Sequence, residues 1–433
     1  MIVLVTGAQG FLGSRLVCAL LGAGHHVVCA VRRPPTPPTA GAPAPLRYVR
    51  ADFSRDHDPE TWAARLAGVD VVVNAAGILR ESADARFEDV HVRGPCALFA
   101  ACAMAGVPRV VQVSALGADE RARSAYHVSK KAADDYLLRL PLASVAVVQP
   151  SLVYGPGGTS ARLFTRLASL PLIPLPGDGD QALQPIHADD AVRALLRLVE
   201  DETVRGRVPL VGPREVTLRE WLAALREGMG LGRARFLPVP RPLVTAGARL
   251  MGRLPASLLD ADTWQMLERG NTAPADATVA LLGHPPRAVE HFVGASQARA
   301  VRREAQLGWL LPLLRLSIAL VWIVTGIVSL GIYPVAQSLD LLARAGVPET
   351  LRPAMLYGAA ALDLALGVAT MTVRRHRRVL WRAQIGLILF YTLIITVRLP
   401  EFWLHPYGPV LKNLPLLAAL VLLDTLEEEE GRR

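Results

Sequence analysis

Apolar residues run unbroken through Met1 to Val5, stop at the glycine-rich TGAQGFLG, and then recur at helical spacing through Leu16, Val17, Leu20 and Leu21. A short apolar run bounded by turn residues predicts a strand buried on both faces. The 3.6-residue spacing behind it predicts a helix laid against one of them. The same rhythm predicts further strands at His26–Val31, Leu46–Val49, Val69–Asn74, Arg109–Ser114 and Ser144–Val148, most of them separated by helical stretches. Strands alternating with helices predict an α/β architecture with a doubly wound parallel sheet. Between the second and third strands stands PPTPPTAGAPAP, whose prolines predict an extended surface loop.

Past Pro150 the rhythm loosens into YGPGGTSARLF and LPLIPLPGDGDQALQPIHADD, followed by a helical pattern over Ala191 to Glu200. That change predicts a smaller, substrate-facing subdomain completing a first domain over residues 1–232, with 233–304 as its completion and connector. From residue 305 the pattern changes kind. Four apolar segments follow, at Trp309–Ile332, Ala354–Val373, Val379–Val397 and Val410–Leu423. The first three approach the roughly 20 residues that cross a bilayer. The fourth is short and contains Pro415. Residues 305–433 are thus predicted to form an all-α transmembrane four-helix bundle.

Charge refines this picture. The net charge of +9 is almost entirely arginine, a balance that would otherwise suggest nucleic acid. Much of the surplus, however, sits at Arg299, Arg302 and Arg303 and at Arg374, Arg375, Arg377, Arg378 and Arg382, flanking apolar segments. Topogenic charge accounts for these better, and positive-inside logic predicts a multi-pass protein of the inner (cytoplasmic) membrane, with both termini and the nucleotide-binding part in the cytoplasm. No nucleic-acid partner is expected. Cys18, Cys29, Cys96 and Cys102 show no paired-ligand spacing, which fits a reduced compartment and argues against structural zinc. The strand-like N-terminus has no basic leader, so no signal peptide is expected. Asp363, about halfway along the second apolar segment, is expected to face a partner such as Arg315, Lys412 or Asn413.

The candidate chemistry begins with the lysines. The chain contains only Lys130, Lys131 and Lys412, yet Lys130 stands four residues after Tyr126. A YxxxK match by chance has an expectation of roughly 0.05 here. On a helix the two side chains share a face, and an ammonium beside a phenol is expected to lower its pKa toward neutrality. In TGAQGFLG, Gly7 and Gly10 allow a tight turn and a close approach to a pyrophosphate at a helix N-terminus, while Gly13 allows the helix to pack closely. Arg32 and Arg33 end the second strand, where folds that prefer NAD carry an acid; arginines suit a 2'-phosphate and so favour NADP over NAD.

Taken together, these motifs resemble the short-chain dehydrogenase/reductase superfamily, in its extended and atypical branch, over roughly the first 290 residues. The resemblance implies a Rossmann domain with cofactor contacts at Thr6, Gly7, Gln9, Gly10, Phe11, Leu12 and Gly13. It also implies Asp52 at the adenine, Ala75, Ala76 and Gly77 beside the cofactor, and Pro150 and Ser151 against the nicotinamide. It further implies a catalytic set of Ser114, Tyr126 and Lys130, with Lys130 also holding the nicotinamide ribose. One departure stands out: where many members carry NVxG, this chain reads His91, Val92, Arg93, Gly94. His91 reads either as a water-organising replacement for the relay asparagine or as a plain helix residue. The passage from PSLVYGPGG is most similar to the branch that includes the nucleotide-binding accessory subunit of respiratory complex I. HPYGPVLKNLPLL, from His405 to Leu417, resembles a DoxX-like membrane domain.

The expected function is therefore a membrane-anchored NAD(P)H-dependent oxidoreductase acting on a carbonyl or quinone-like, lipophilic small molecule. The alternatives are a non-catalytic NADPH-binding assembly protein, with a membrane-protein partner or as a homo-oligomer, and an epimerase or dehydratase of the same superfamily.

Overall fold

The computed structural model describes residues 1–35, 45–251 and 260–427. The proline-rich stretch between the second and third strands therefore falls largely outside the described residues. The chain divides into two compact units, Met1–Ala305 and Gln306–Arg433.

Seven parallel strands form the sheet of the first unit: β1 (Ile2–Thr6), β2 (His26–Val31), β3 (Leu46–Arg50), β4 (Val71–Asn74), β5 (Arg109–Val113), β6 (Ser144–Pro150) and β7 (Gly206–Leu210). Their spatial order is β7-β6-β5-β4-β1-β2-β3, so the chain reverses its winding direction beside β1, as in dinucleotide-binding folds. Side chains alternate across the strands. Val3 and Val5 pack with Leu16 and Leu20 of α1 (Phe11–Gly22) and with Leu195 and Leu198 of a helix over Ala188–Glu200. Leu4 and Val72 face the other way, toward Leu98 and Phe99 of α2 (Gly94–Ala105) and Leu137 of α3 (Ala125–Arg139). The expected doubly wound sheet is present. It holds one strand more than the apolar pattern indicates: β7, the short GRVPL at one edge, pairs with β6. Its Pro209 is tolerated there because an edge strand does not use every N–H.

Beyond β6, short strand pairs join Val153–Tyr154 to Ile186–His187 and Ile173–Pro176 to Phe236–Val239. A separate apolar cluster, centred on Trp221, Leu222, Tyr154 and Phe292, holds this smaller region together.

Among the described residues, three helices are long and apolar enough to cross a membrane: Ala298–Ile332, which begins at the end of the first unit and continues into the second, and Glu349–Thr372 and Arg377–Arg398 within the second, where Asn413–Leu426 is shorter. Gly326 and Gly367 bring two of these helices into backbone contact. A Cβ on either would lie 2.9 Å from the Ala360 carbonyl oxygen and 3.0 Å from that of Ala319, respectively. Small residues at such crossings allow the close van der Waals packing that drives helix association in lipid. A buried polar chain supports it: Trp322 Nε1 donates to Gln384 Oε1 (2.8 Å), and Gln384 Nε2 donates to Thr370 Oγ1 (3.0 Å). Asp363 is buried as well, but its expected pairing is not formed and its Oδ1 has no hydrogen-bond partner among the described residues. Arg315 pairs with Glu427 (3.1 Å), Asn413 donates to Thr392 (2.9 Å), and Lys412 is exposed.

Candidate active site

The glycine turn follows directly from the end of β1. Gly7 has a φ of +63°, and a Cβ there would lie 2.5 Å from the Ala75 carbonyl oxygen. Only glycine combines that backbone angle with that contact. Gly10 closes the turn, donating its N–H to Gly7 O at 2.8 Å. It then caps α1 without any side-chain hydrogen bond, so the first-turn N–H groups face outward, ready for an anion. A Cβ on Gly10 would meet nothing closer than Gly7 O at 3.1 Å, whereas one on Gly13 would lie 2.1 Å from that same oxygen. Gly10 therefore marks the open side of the turn and Gly13 the packed side. Leu12 packs against the core beneath. Phe11 turns toward Gly155 and Gly158, whose missing side chains leave room for its ring. That use of the YGPGG glycines was not apparent from their spacing alone.

Beside the turn lies a cleft of about 790 Å³ lined by Gln9, Arg32, Arg33 and Asp52 together with Arg50, Arg55 and Arg86. The last three arginines were not singled out in the sequence, although Arg50 ends β3 much as Arg32 follows β2. Asp52 Oδ1 accepts from Ser54 N–H (3.0 Å) and Oγ–H (2.7 Å). Partial burial opposes its ionisation, but these bonds and the Arg32 and Arg55 charges hold its carboxyl below the usual range. An uncapped helix N-terminus beside a cationic cleft fits a dinucleotide: the turn would hold its pyrophosphate, and the arginines with Asp52 its adenosine end.

α3 begins at Ser124, whose side chain accepts from His127 N–H. Tyr126, Lys130 and Asp134 then recur every four residues along one face. Lys130 is buried and donates to Val113 O (3.1 Å) and Ala76 O (3.3 Å), the backbone at the ends of two adjacent strands. Ser114, immediately after β5, donates its hydroxyl to Asp134 Oδ2. The half-buried Tyr126 ring stands 5.5 Å from His91 and 5.4 Å from His127.

The electrostatics differ from the expectation drawn from helix spacing. Burial and the Asp134 carboxylate push the Tyr126 phenol up to about 12, because the Lys130 ammonium directs donors to two carbonyls and shares its face with an acid. Burial brings Lys130 down to about 8, with Asp134 opposing. Burial likewise raises Asp134 to about 6, against the hydrogen bond from Ser114 and the charge of Lys130.

His91 lies in a π-helical turn, Glu88–Arg93, ahead of α2. Its Nε2 accepts Ile78 N–H (3.0 Å), and its Nδ1 meets Ser129 Oγ (2.9 Å), whose own proton goes to Tyr126 O. The proton therefore sits on Nδ1, and both ring nitrogens have protein partners. Burial and the Lys130 charge push the ring down to about 2. His91 thus joins α3 to the loop after β4, through Ser129 and Ile78.

Gly77 leaves room for Lys130, since a Cβ there would stand 3.1 Å from Nζ. Thr6 donates to Asn74 Oδ1, and Asn74 Nδ2 donates to Gln112 Oε1 (2.7 Å), which carries a buried polar chain across β1, β4 and β5. Pro150 ends β6 and its carbonyl accepts Leu116 N–H (2.9 Å). The Ser151 hydroxyl donates to Gln184 O (2.6 Å), so it turns toward the smaller region. Asp134 was missed in the sequence, although its place two turns beyond Tyr126 on the same face was there to be read.

Residues 3–212 match the NAD-dependent epimerase/dehydratase family, and residues 319–421 match a DoxX-like family. A ceramide reductase of Caulobacter vibrioides is 32% identical over 251 residues, covering 57% of this chain and 76% of the relative. The chain belongs to the NAD-dependent epimerase/dehydratase family. Within this family's wider short-chain dehydrogenase/reductase superfamily it also resembles the mitochondrial NADH dehydrogenase [ubiquinone] 1 alpha subcomplex subunit 9 of Mus musculus. That similarity is 27% identity over 245 residues, 55% of this chain and 63% of the relative. The extended-branch and DoxX-like resemblances both stand. Among solved structures, MoeE5 in complex with UDP-glucuronic acid and NAD matches with a TM-score of 0.51 and 27% identity, covering 70% of this chain and 99% of that one. A nucleoside-diphosphate-sugar epimerase from Staphylococcus aureus, at 18% identity and a TM-score of 0.55 over 68% of this chain and 99% of its own, shares the fold.

Proposed function

We propose that the protein is a membrane-anchored, NADPH-dependent reductase of a lipophilic carbonyl compound, with Ser114, Tyr126 and Lys130 as its catalytic set. The observation that supports this reading is that Tyr126 and Lys130 stand one turn apart on α3, while Lys130 and Ser114 meet the C-terminal end of β5, the same end of the parallel sheet at which β1 runs into the glycine turn. The phenol, pushed up to about 12, is a weaker acid than a free tyrosine but holds its proton at neutral pH and so has one to give a developing substrate alkoxide. The dinucleotide, when bound, supplies the hydride. Ser114 orients the carbonyl, and Lys130 adds positive charge beneath the developing alkoxide.

Preference for NADPH is supported by Arg32, Arg33, Arg50, Arg55 and Arg86 around one cleft; a 2'-phosphate is the part of the dinucleotide that such charge recognises. A lipid-class substrate is supported by the membrane-spanning helices and by the named ceramide reductase relative. Arg299, Arg302 and Arg303 in the first turns of the helix Ala298–Ile332, and the arginine run from Arg374 to Arg382 that leads into and begins the helix Arg377–Arg398, support a cytoplasmic nucleotide-binding unit on the inner membrane. A second reading, epimerisation or dehydration of a nucleotide sugar with NAD, is favoured by the likeness to MoeE5.

The test is NADPH oxidation by the purified protein with long-chain ketones, quinones and nucleotide sugars, compared with Tyr126→Phe. Loss of a proton donor should lower turnover by about 10²-fold or more. Turnover indifferent to the substitution would remove the assigned role. Tight NADPH binding without oxidation on any substrate would point instead to a non-catalytic assembly protein.

A further inference from the structure

Asp134 is fully buried, and none of the glycine, arginine or YxxxK motifs gives it a task. Its Oδ2 accepts the Ser114 hydroxyl, while its Oδ1 is buried with no hydrogen-bond partner among the described residues. The groups that face it are Lys130 and Tyr126 on its own helix, Gln112 and Ser114 from β5 and its end, and Arg207 from β7. Lys130 and Tyr126 are the titratable groups among them, and Lys130 directs its protons to Ala76 O and Val113 O rather than to the carboxylate.

A serine hydroxyl has one proton to give. With that proton directed at Asp134, Ser114 has only lone pairs left to offer; it can accept from an alcohol but cannot donate to a carbonyl. If the carboxyl itself carries a proton, Asp134 becomes the donor and the hydroxyl of Ser114 is free to point outward. We infer that Asp134 is a positioning residue that sets the hydrogen-bond polarity of Ser114, acceptor when the carboxylate is ionised and donor to a substrate carbonyl when it is protonated. The inference rests on the reductase reading for its consequence, since reduction needs the donor state. Its geometric core, the coupling of the two side chains, does not depend on any substrate. Burial raises the carboxyl to about 6, so both states lie within reach of ordinary pH.

Difference infrared titration of the full-length protein, wild type against Asp134→Asn, isolates the carboxylic-acid carbonyl band of this one residue. The expected midpoint is near pH 6. Because Ser114 donates to the ionised form, Ser114→Ala should raise the midpoint by about one unit or more, and Ser114→Thr, which keeps the hydroxyl, should restore it. A midpoint that Ser114→Ala leaves in place would overturn the coupling; Asp134→Asn serves in this arm only to assign the band, and the midpoints compared are those of wild type and the Ser114 variants. In the activity arm, kcat for NADPH-dependent reduction of a long-chain ketone should fall as pH rises through the wild-type midpoint and lose that limb in Asp134→Asn. A limb that persists in Asp134→Asn would overturn the positioning role. Absence of ketone reduction with the Ser114-dependent midpoint intact would sink the reductase reading while the coupling stands.

Discussion

His91→Gln is the perturbation that most directly tests how the site is held together. The imidazole is 1% exposed and held down to about 2, while in the unfolded chain it titrates near its ordinary value of about 6.5. The unfolded state therefore takes up a proton as pH falls through 6.5, and the folded state does not. Stability is lost on acidification across that window, and the loss continues until the folded value is reached. Between pH 7 and pH 5 this single residue should cost about 2 kcal/mol. Glutamine carries a donor and an acceptor for Ser129 and Ile78 but no titratable nitrogen, so the variant escapes that loss. It should be less stable than wild type at pH 7 because its amide fits the ring site less well, and the gap should shrink by about 2 kcal/mol at pH 5, or about 4 °C in a domain of this size. His127, which burial holds down to about 4, is common to both proteins and cancels in the comparison. Thermal unfolding of the full chain in detergent, followed by near-ultraviolet circular dichroism at the two pH values, reads this directly. A gap independent of pH would mean that His91 takes a proton in the folded state, and the buried neutral ring described above would be wrong.

Two further outcomes follow from the cofactor end of the site. Arg32→Ala should weaken NADPH binding by about 10- to 100-fold, the worth of a charge-assisted hydrogen bond, while leaving NADH nearly unaffected; equal losses measured by nucleotide fluorescence titration would refute recognition of the 2'-phosphate. Gly13→Ala places a Cβ 2.1 Å from the Gly7 carbonyl oxygen, so the turn must shift. Both dinucleotides should lose at least about tenfold in affinity with the far-ultraviolet spectrum unchanged, and wild-type affinity would show that the packing is looser than described.

Much of the architecture was legible because its signals are local. The apolar runs of β1, β2 and β5 are buried by both helical layers and so carry no polar alternation to obscure them. The three long apolar helices announce themselves by length alone. β7 escaped notice because an edge strand needs less apolar character and tolerates Pro209. The π-helical turn at Glu88–Arg93 depends on where His91 finds its partners, Ile78 and Ser129, 13 and 38 residues away. The Asp363 pairing was misjudged because the candidate basic and polar groups, Arg315 and Asn413, are engaged elsewhere in the bundle.

The order of motifs along the chain was enough to specify a parallel α/β sheet, a glycine turn at its first strand, a phenol and an amine one helical turn apart, and a membrane-embedded C-terminal part. Each of these depends on residues only a few positions apart, where backbone geometry leaves little freedom. Only the folded arrangement decided which way the charges act. It placed Asp134 against Ser114, drew Lys130 toward two strand ends, enclosed His91 as a neutral ring, and gathered arginines from β3 and from the loops, including the one that follows β2, into one cleft. A side chain's acidity is set by its desolvation and by the charges around it, and those neighbours come from segments that the linear order keeps far apart.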